Sequence, residues 1–187
     1  LSRILGLQYF MNDIDDTTIA SRSRKHLVYN TIPFLACFLT FLISLLFANG
    51  WAVDPTTGVI SVEPFQYLHN LLAIPVIAAM LLVGVLAVLW GIGTGIFKGS
   101  RKSIWFSGGG AVLTVLSLLL LAGFNNTAYY PSLSDMQSSL TIYNSSSSLF
   151  TLEAMSIVSI FIPFVVAYIW YSWRAMNRKP ITRQEIE

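Results

Sequence analysis

Few residues in this chain have types that could do chemistry, and they are scattered along it. A haem or metal site needs one strong ligand and usually two that converge, so the two histidines, His26 and His69, come first. Met136 and Met155 could each serve as a second ligand beside His69 if the fold brought them together. Cys37 is the single cysteine, which leaves no disulfide framework and no thiolate cluster. Within its apolar run it reads as a small packing residue. Ser132, Ser134, Ser138 and Ser139 flank Asp135 and, with His69, offer the residue types of a nucleophilic triad. The run Ser107, Gly108, Gly109, Gly110 lacks the Lys and the Ser/Thr of a phosphate-binding loop and has no strand before it. It reads instead, with Gly91, Gly95 and Gly99, as a low-relief surface for close helix contact.

What positions these residues follows from where charge is missing. The 187 residues are 55% hydrophobic and only 11% charged, far from the balance of a soluble globular chain. A net charge of +2 gives no footprint for nucleic acid. A transmembrane helix needs about 20 consecutive residues without an unpaired charge. Four stretches qualify: 27 uncharged residues between His26 and Asp54, 34 between Glu63 and Lys98, 32 between Lys102 and Asp135, and 20 between Glu153 and Arg174. They predict spans over residues 28–48, 71–95, 104–124 and 152–173. Residues 1–11 are apolar apart from Arg3 and Gln8 and run into Asp13, Asp15 and Asp16, like the end of a further helix. A chain opening in this way reads as part of a longer subunit. The fold class is therefore all-α: a polytopic membrane helix bundle of four full transmembrane helices plus the end of a preceding one, forming a single membrane-embedded domain over residues 1–187.

Basic residues set the expected orientation, because cytoplasmic loops are enriched in Lys and Arg. Arg22, Arg24 and Lys25 precede the first span, Lys98, Arg101 and Lys102 join the second to the third, and Arg174, Arg178, Lys179 and Arg183 follow the fourth. The loops 49–70 and 125–151 carry neither Lys nor Arg, and so face outward, leaving the C-terminus cytoplasmic. Trp51, Tyr129 and Tyr130 would mark the outer interface, and Trp105, Trp170, Tyr171 and Trp173 the inner one.

This threading separates the candidate groups. His26 falls on the cytoplasmic side and His69 on the outer side, with about 30 Å of hydrocarbon between them, so no bis-histidine site forms within one chain. Glu153 falls in the first turn of the last span, with Thr151 as its expected cap, where the helix dipole favours a carboxylate. Arg3 snorkels to the cytoplasmic interface. The outer Ser-rich loop, 125–151, leaves two readings open. Leu133, Met136, Leu140 and Tyr143 are spaced as one apolar helical face after Pro131, which suits a short helix on the membrane surface or on a partner. A solvated Ser-rich linker is the other.

One segment of that loop goes beyond composition. Ser139, Leu140, Thr141, Tyr143, Asn144 and the serines 145–148, followed by Thr151, Leu152 and Met155, resemble the outer-loop signature of subunit II of the cytochrome bd ubiquinol oxidases. Tyr130-Pro131 is similar to that family's entry into the loop. Pro163 to Trp173 with Arg174, Met176 and Arg178 resembles its last span, and Gly6, Gln8 and Tyr9 leading through Asp13 to Arg22, Arg24 and Lys25 resembles its cytoplasmic helix end. The resemblance runs through the whole chain and corresponds to the C-terminal half of such a subunit. Tyr143-Asn144 stands where Trp-Asp is familiar. The resemblance implies a non-haem subunit of a terminal respiratory quinol oxidase in a bacterial inner membrane. It would pack against a haem-bearing subunit I that holds the b-type haems and haem d, oxidises quinol and reduces oxygen to water. No catalytic or metal-binding position is carried over to this chain, and a structural quinone or lipid between its helices is compatible with this reading. Half of a transporter would need intramembrane charges or broken helices. A membrane adaptor without redox partners is the remaining alternative.

Overall fold

The structure, a computed structural model, describes residues 1–176. Arg178, Lys179 and Arg183 lie outside the described residues. Among the described residues seven α-helices and one small hairpin follow in order: α1 (Ser2–Asp13), α2 (Thr17–Leu46), β1 (Gly50–Val53), β2 (Ile60–Glu63), α3 (Gln66–Ala73), α4 (Pro75–Lys98), α5 (Ser103–Gly123), α6 (Leu149–Ser159) and α7 (Ile162–Met176). Four segments are long and apolar enough to cross a membrane: α2, α4, α5 and the α6–α7 pair taken together. The all-α polytopic bundle is thus what forms, with α1 as the additional helix end.

Local chemistry explains where the elements depart from the expected spans. Asp16 caps α2, its carboxylate accepting from Thr18 N at 2.7 Å and Ile19 N at 2.9 Å, so the helix starts well before residue 28 and carries Arg22, Arg24, Lys25 and His26 on its first turns. The long uncharged stretch after Glu63 makes two helices rather than one. Pro75 has no N–H to donate and disfavours a helical residue before it; Ile74 accordingly sits at φ −118, ψ 85, and α4 begins with proline in its first turn. The last span breaks between α6 and α7 at Ile160 and Phe161. There the ring of Pro163 excludes a helical hydrogen bond to residue 159 and the chain tightens into Ile160 N to Ile157 O and Phe161 N to Val158 O bonds. The broken helix is a correction to the sequence reading, although no charged side chain lies at the break.

α4 and α5 form the centre as an antiparallel pair. Gly84, Val88, Gly91 and Gly95 on α4 and Ser103, Ser107, Gly110 and Thr114 on α5, all at helical spacing, make the seam. The backbones come close enough that a Cβ on Gly91 would stand 2.6 Å from Ser107 N, and one on Gly110 would stand 2.7 Å from Gly84 O. Only part of the glycine-rich surface behaves as expected. Gly99 ends α4 at φ +59, in the left-handed region that glycine tolerates, and Gly108 and Gly109 face open space. Ile4 and Met11 of α1, Leu27 of α2, Val88 and Ile92 of α4 and Ala111 of α5 complete the core.

The last span stands apart, since none of its residues from 149 to 176 is buried. It approaches the bundle at the basic end, where Trp170, Trp173 and Arg174 share a hollow of about 260 Å³ with Asn12, Asp13 and Trp105. Arg174 lies 5.3 Å from the Trp170 ring centroid. Trp105, Trp170 and Trp173 therefore gather at one end of the bundle, as an interfacial belt requires.

The seam makes a sharp mutational contrast. Gly91→Val should force α4 from α5 and cost about 1–3 kcal/mol by overpacking, whereas Gly108→Ala should be neutral or stabilise by up to about 1 kcal/mol through helix propensity. Thermal unfolding in detergent checks both, and equal midpoints for the two variants would contradict the seam.

Candidate functional site

Three neutral polar assemblies hold most of the buried hydrogen-bonding capacity, two at helix junctions and one in the 125–151 loop. At the end of the bundle away from the lysines and arginines, Gln66 and Asn70, one turn apart on α3, face the chain leaving α5. Asn70 Nδ2 donates to Leu121 O at 3.1 Å and to Thr127 Oγ1 at 2.8 Å. Gln66 Nε2 donates to Thr127 Oγ1 at 3.1 Å, and Asn125 Nδ2 donates to Asn70 Oδ1 at 2.9 Å. The backbone makes this convergence by unusual means: Phe65, Asn125 and Asn126 all take positive φ, at 57°, 57° and 53°. Gly50 lies so close that a Cβ there would meet Gln66 Cβ at 2.6 Å. Ala128 N to Trp51 O at 2.8 Å and Val53 N to Asn126 O at 2.7 Å then tie the segment to β1.

At the basic end, Gln8 of α1 reaches the α4–α5 seam. Its Nε2 donates to Ser107 Oγ at 2.9 Å and to Gly91 O at 3.2 Å. Gln8 and Ser103 are fully buried, and Gln8 Oε1 and Ser103 Oγ have no hydrogen-bond partner among the described residues. Just beyond, the Arg24 guanidinium donates to Ile96 O and, at 2.8 Å, to Phe97 O, satisfying carbonyls that the end of α4 leaves open. Arg101 pairs with Asp15, which joins the α4–α5 turn to the turn between α1 and α2.

The 125–151 loop is neither an amphipathic helix nor a loose linker. Before α6 begins at Leu149, its one helical stretch is the 3₁₀ turn Met136–Ser138, and Leu133 is fully exposed while Tyr143 is 81% exposed, so no single apolar helical face forms. The serines and amides that disfavour a helix interior bond the backbone instead. Ser139 Oγ donates to Met136 O at 2.7 Å and accepts from Ser132 N at 3.0 Å. Gln137 behaves as an extra strand residue on β2, donating to Ile60 O at 2.9 Å and accepting from Ile60 N at 3.0 Å. Asn144 closes the signature turn, accepting from Thr141 N at 2.7 Å and donating through Nδ2 to Ser139 O at 2.9 Å. A carboxylate could not make that last bond, which gives Asn144 a physical role at the position where Asp was familiar. The cap of α6 is Ser148, accepting from Thr151 N, rather than Thr151 itself. Glu153 consequently lies past the first turn.

These arrangements bind and orient, but they have no group that changes charge. The buried side chains at both junctions are amides and hydroxyls. Thr114 and Ser117 turn their hydroxyls back onto Gly110 O and Leu113 O of their own helix. His26 and His69 are both exposed, the first near the start of α2 and the second on α3 by the far end of the bundle. The 20 helical steps of α2 from His26 to Leu46 alone span about 30 Å, so the imidazoles do not fit a shared haem within this chain. Nor is there a cluster of three or more His, Cys, Asp or Glu side chains among the described residues. Cys37 is exposed on α2 rather than packed. Gln66, Asn70 and Thr127 escaped sequence reading because isolated neutral polar residues say nothing about what they face; Gln8 alone carried a signal, as an amide in an apolar run.

The carboxyl of Asp54, in the turn after β1, accepts from Thr56 N at 2.9 Å, Thr56 Oγ1 at 2.7 Å and Thr57 Oγ1 at 2.8 Å. These bonds, the Thr56 backbone donor foremost, hold its pKa down to about 2. A lowered carboxyl pKa means that its ordering of the hairpin turn is complete above the ordinary value of about 3.9 and lost as pH falls through about 2. Amide exchange at Thr56 should accelerate over that interval, and Asp54→Asn should remove the pH dependence. Asn70→Leu should cost about 1–3 kcal/mol by taking the side-chain partner from Leu121 O and from the Asn125 amide. Asn144→Asp should expose the 139–148 turn to protease while leaving the midpoint of the bundle nearly unchanged.

A family model described as cytochrome bd terminal oxidase subunit II matches residues 1–176 of the chain. Comparison with curated proteins gives no match.

Proposed function

The chain belongs to the subunit II family of cytochrome bd terminal oxidases, and from that premise we propose that it is the non-haem subunit that packs against and supports a haem-bearing subunit I. Quinol oxidation and the reduction of oxygen to water are then carried by the b-type haems and haem d of that partner. This chain holds no catalytic residue and no metal ligand in this reading. It acts as one membrane-embedded domain that fixes the partner's helices.

The observation that carries the reading is the placement of its strongest ligands. Two exposed imidazoles at opposite ends of the bundle, with neutral amides and hydroxyls as the buried polar side chains among the described residues, suit a scaffold rather than a redox centre. The last span adds support. It is apolar, buries no residue against its own chain and so has its surface available to another polypeptide. The transporter reading gains a broken helix from the α6–α7 interruption but lacks the charge that would coordinate a substrate there.

In this reading the chain lies in the bacterial inner membrane, and the one-sided distribution of its lysines and arginines supports a cytoplasmic C-terminus with the 125–151 loop outside. Affinity purification through this chain should bring down a larger subunit that carries all the visible haem absorption, and the chain separated from it should have none. Stoichiometric haem on the separated chain would overturn the assignment. In a Cys37→Ser background, Lys102→Cys should resist impermeant thiol reagents in intact cells and react once the cells are opened.

A further inference from the structure

A shallow groove of about 800 Å³ runs along the surface of α4 at its basic end. Val83, Leu86, Trp90, Gly93 and Phe97 recur along it every three or four residues, so they share one helix face, with Lys98 next to Phe97 at the mouth and Phe106 of α5 as a side wall. Trp90 and Phe97 are 62% and 80% exposed and stand as rims on either side of Gly93, over which a Cβ would meet nothing within 4 Å. The missing side chain makes the notch. Apart from Thr94 and Lys98 the lining is apolar, and the Thr94 hydroxyl is already spent on Gly91 O at 3.1 Å.

The charges at the mouth point one way. Arg24 is engaged by the carbonyls of Ile96 and Phe97, and Arg101 by Asp15, whereas Lys98 has no hydrogen-bond or ion-pair partner among the described residues. The 15 helical steps from Val83 to Lys98 rise about 22 Å, which exceeds the about 15 Å depth of one leaflet's hydrocarbon. We propose that this groove binds an anionic phospholipid of the basic-side leaflet, with one acyl chain laid over Gly93 between Trp90 and Phe97 and the phosphate held by the Lys98 ammonium. Charge complementarity selects the headgroup and the glycine notch admits the chain.

Two substitutions separate those contributions. Gly93→Leu fills the notch from a position where a Cβ has no neighbour within 4 Å, and Lys98→Gln removes the cation while leaving the groove open. The protein would be purified from its membrane with whatever subunits accompany it, delipidated in mild detergent and titrated with phosphatidylglycerol or phosphatidylcholine while bound lipid is counted by native mass spectrometry. The wild type should retain one phosphatidylglycerol about fivefold more tightly than phosphatidylcholine, as expected for one lysine at an anionic headgroup. Lys98→Gln should erase that preference, and Gly93→Leu should abolish retention of both lipids with an unchanged unfolding midpoint. Equal retention of the two lipids by the wild type, or retention unaffected by Gly93→Leu, would overturn the proposal. So would loss of an accompanying subunit from Gly93→Leu with lipid still bound, because the groove would then be covered by protein.

Discussion

The close approach of α4 and α5 is the constraint on which the rest of this structure depends. In hydrocarbon there is no hydrophobic gain from bringing two apolar helices together, so contact must come from backbone packing and satisfied polar groups. Gly84, Gly91 and Gly110 permit that contact by having no side chain at the points of closest passage. Ser107 and Thr114 occupy the facing positions, and Thr114 closes its hydroxyl onto its own helix. Once the pair is set, its two ends become fixed platforms. Gln8 docks α1 onto one of them, and Asn70 docks α3 onto the other.

Those two dockings share a chemical logic. Each uses a primary amide with two donors to bridge a main-chain carbonyl and a hydroxyl on a different segment: Gly91 O and Ser107 for Gln8, Leu121 O and Thr127 for Asn70. Neutral donors suit a low-dielectric interior, where an unpaired charge would be costly and a hydrogen-bonded amide is not. Charged contacts are kept to the edge, where Arg24 caps α4 and Arg101 meets Asp15 beside solvent. The last span takes no part in this and buries none of its residues from 149 to 176.

The number of spans, their rough limits and the gathering of Trp105, Trp170 and Trp173 at one end were legible from charge spacing and aromatic placement. The Gly91–Gly95 packing surface was legible as well. Other features misled for identifiable reasons. Helical spacing of Leu133, Met136, Leu140 and Tyr143 suggested an amphipathic helix, but the intervening serines and Gln137 found backbone partners that a helix would have denied them. Thr151 looked like a cap, yet Ser148 lay three residues earlier and took that place.

The sequence by itself determined that this chain threads a lipid bilayer four times, because a run of some twenty residues without charge leaves the backbone no stable choice but a helix. It also determined the family, through a loop whose residue order is distinctive. Only the tertiary structure decided which amide meets which carbonyl, where Pro75 and Pro163 divide an apolar run, and that the loop is hydrogen-bonded within itself and tied to β2 through Gln137. Hydropathy and charge act residue by residue and survive in a one-dimensional reading. Hydrogen bonds such as Asn70 to Thr127, 57 positions apart, depend on where the folded backbone brings the two groups together.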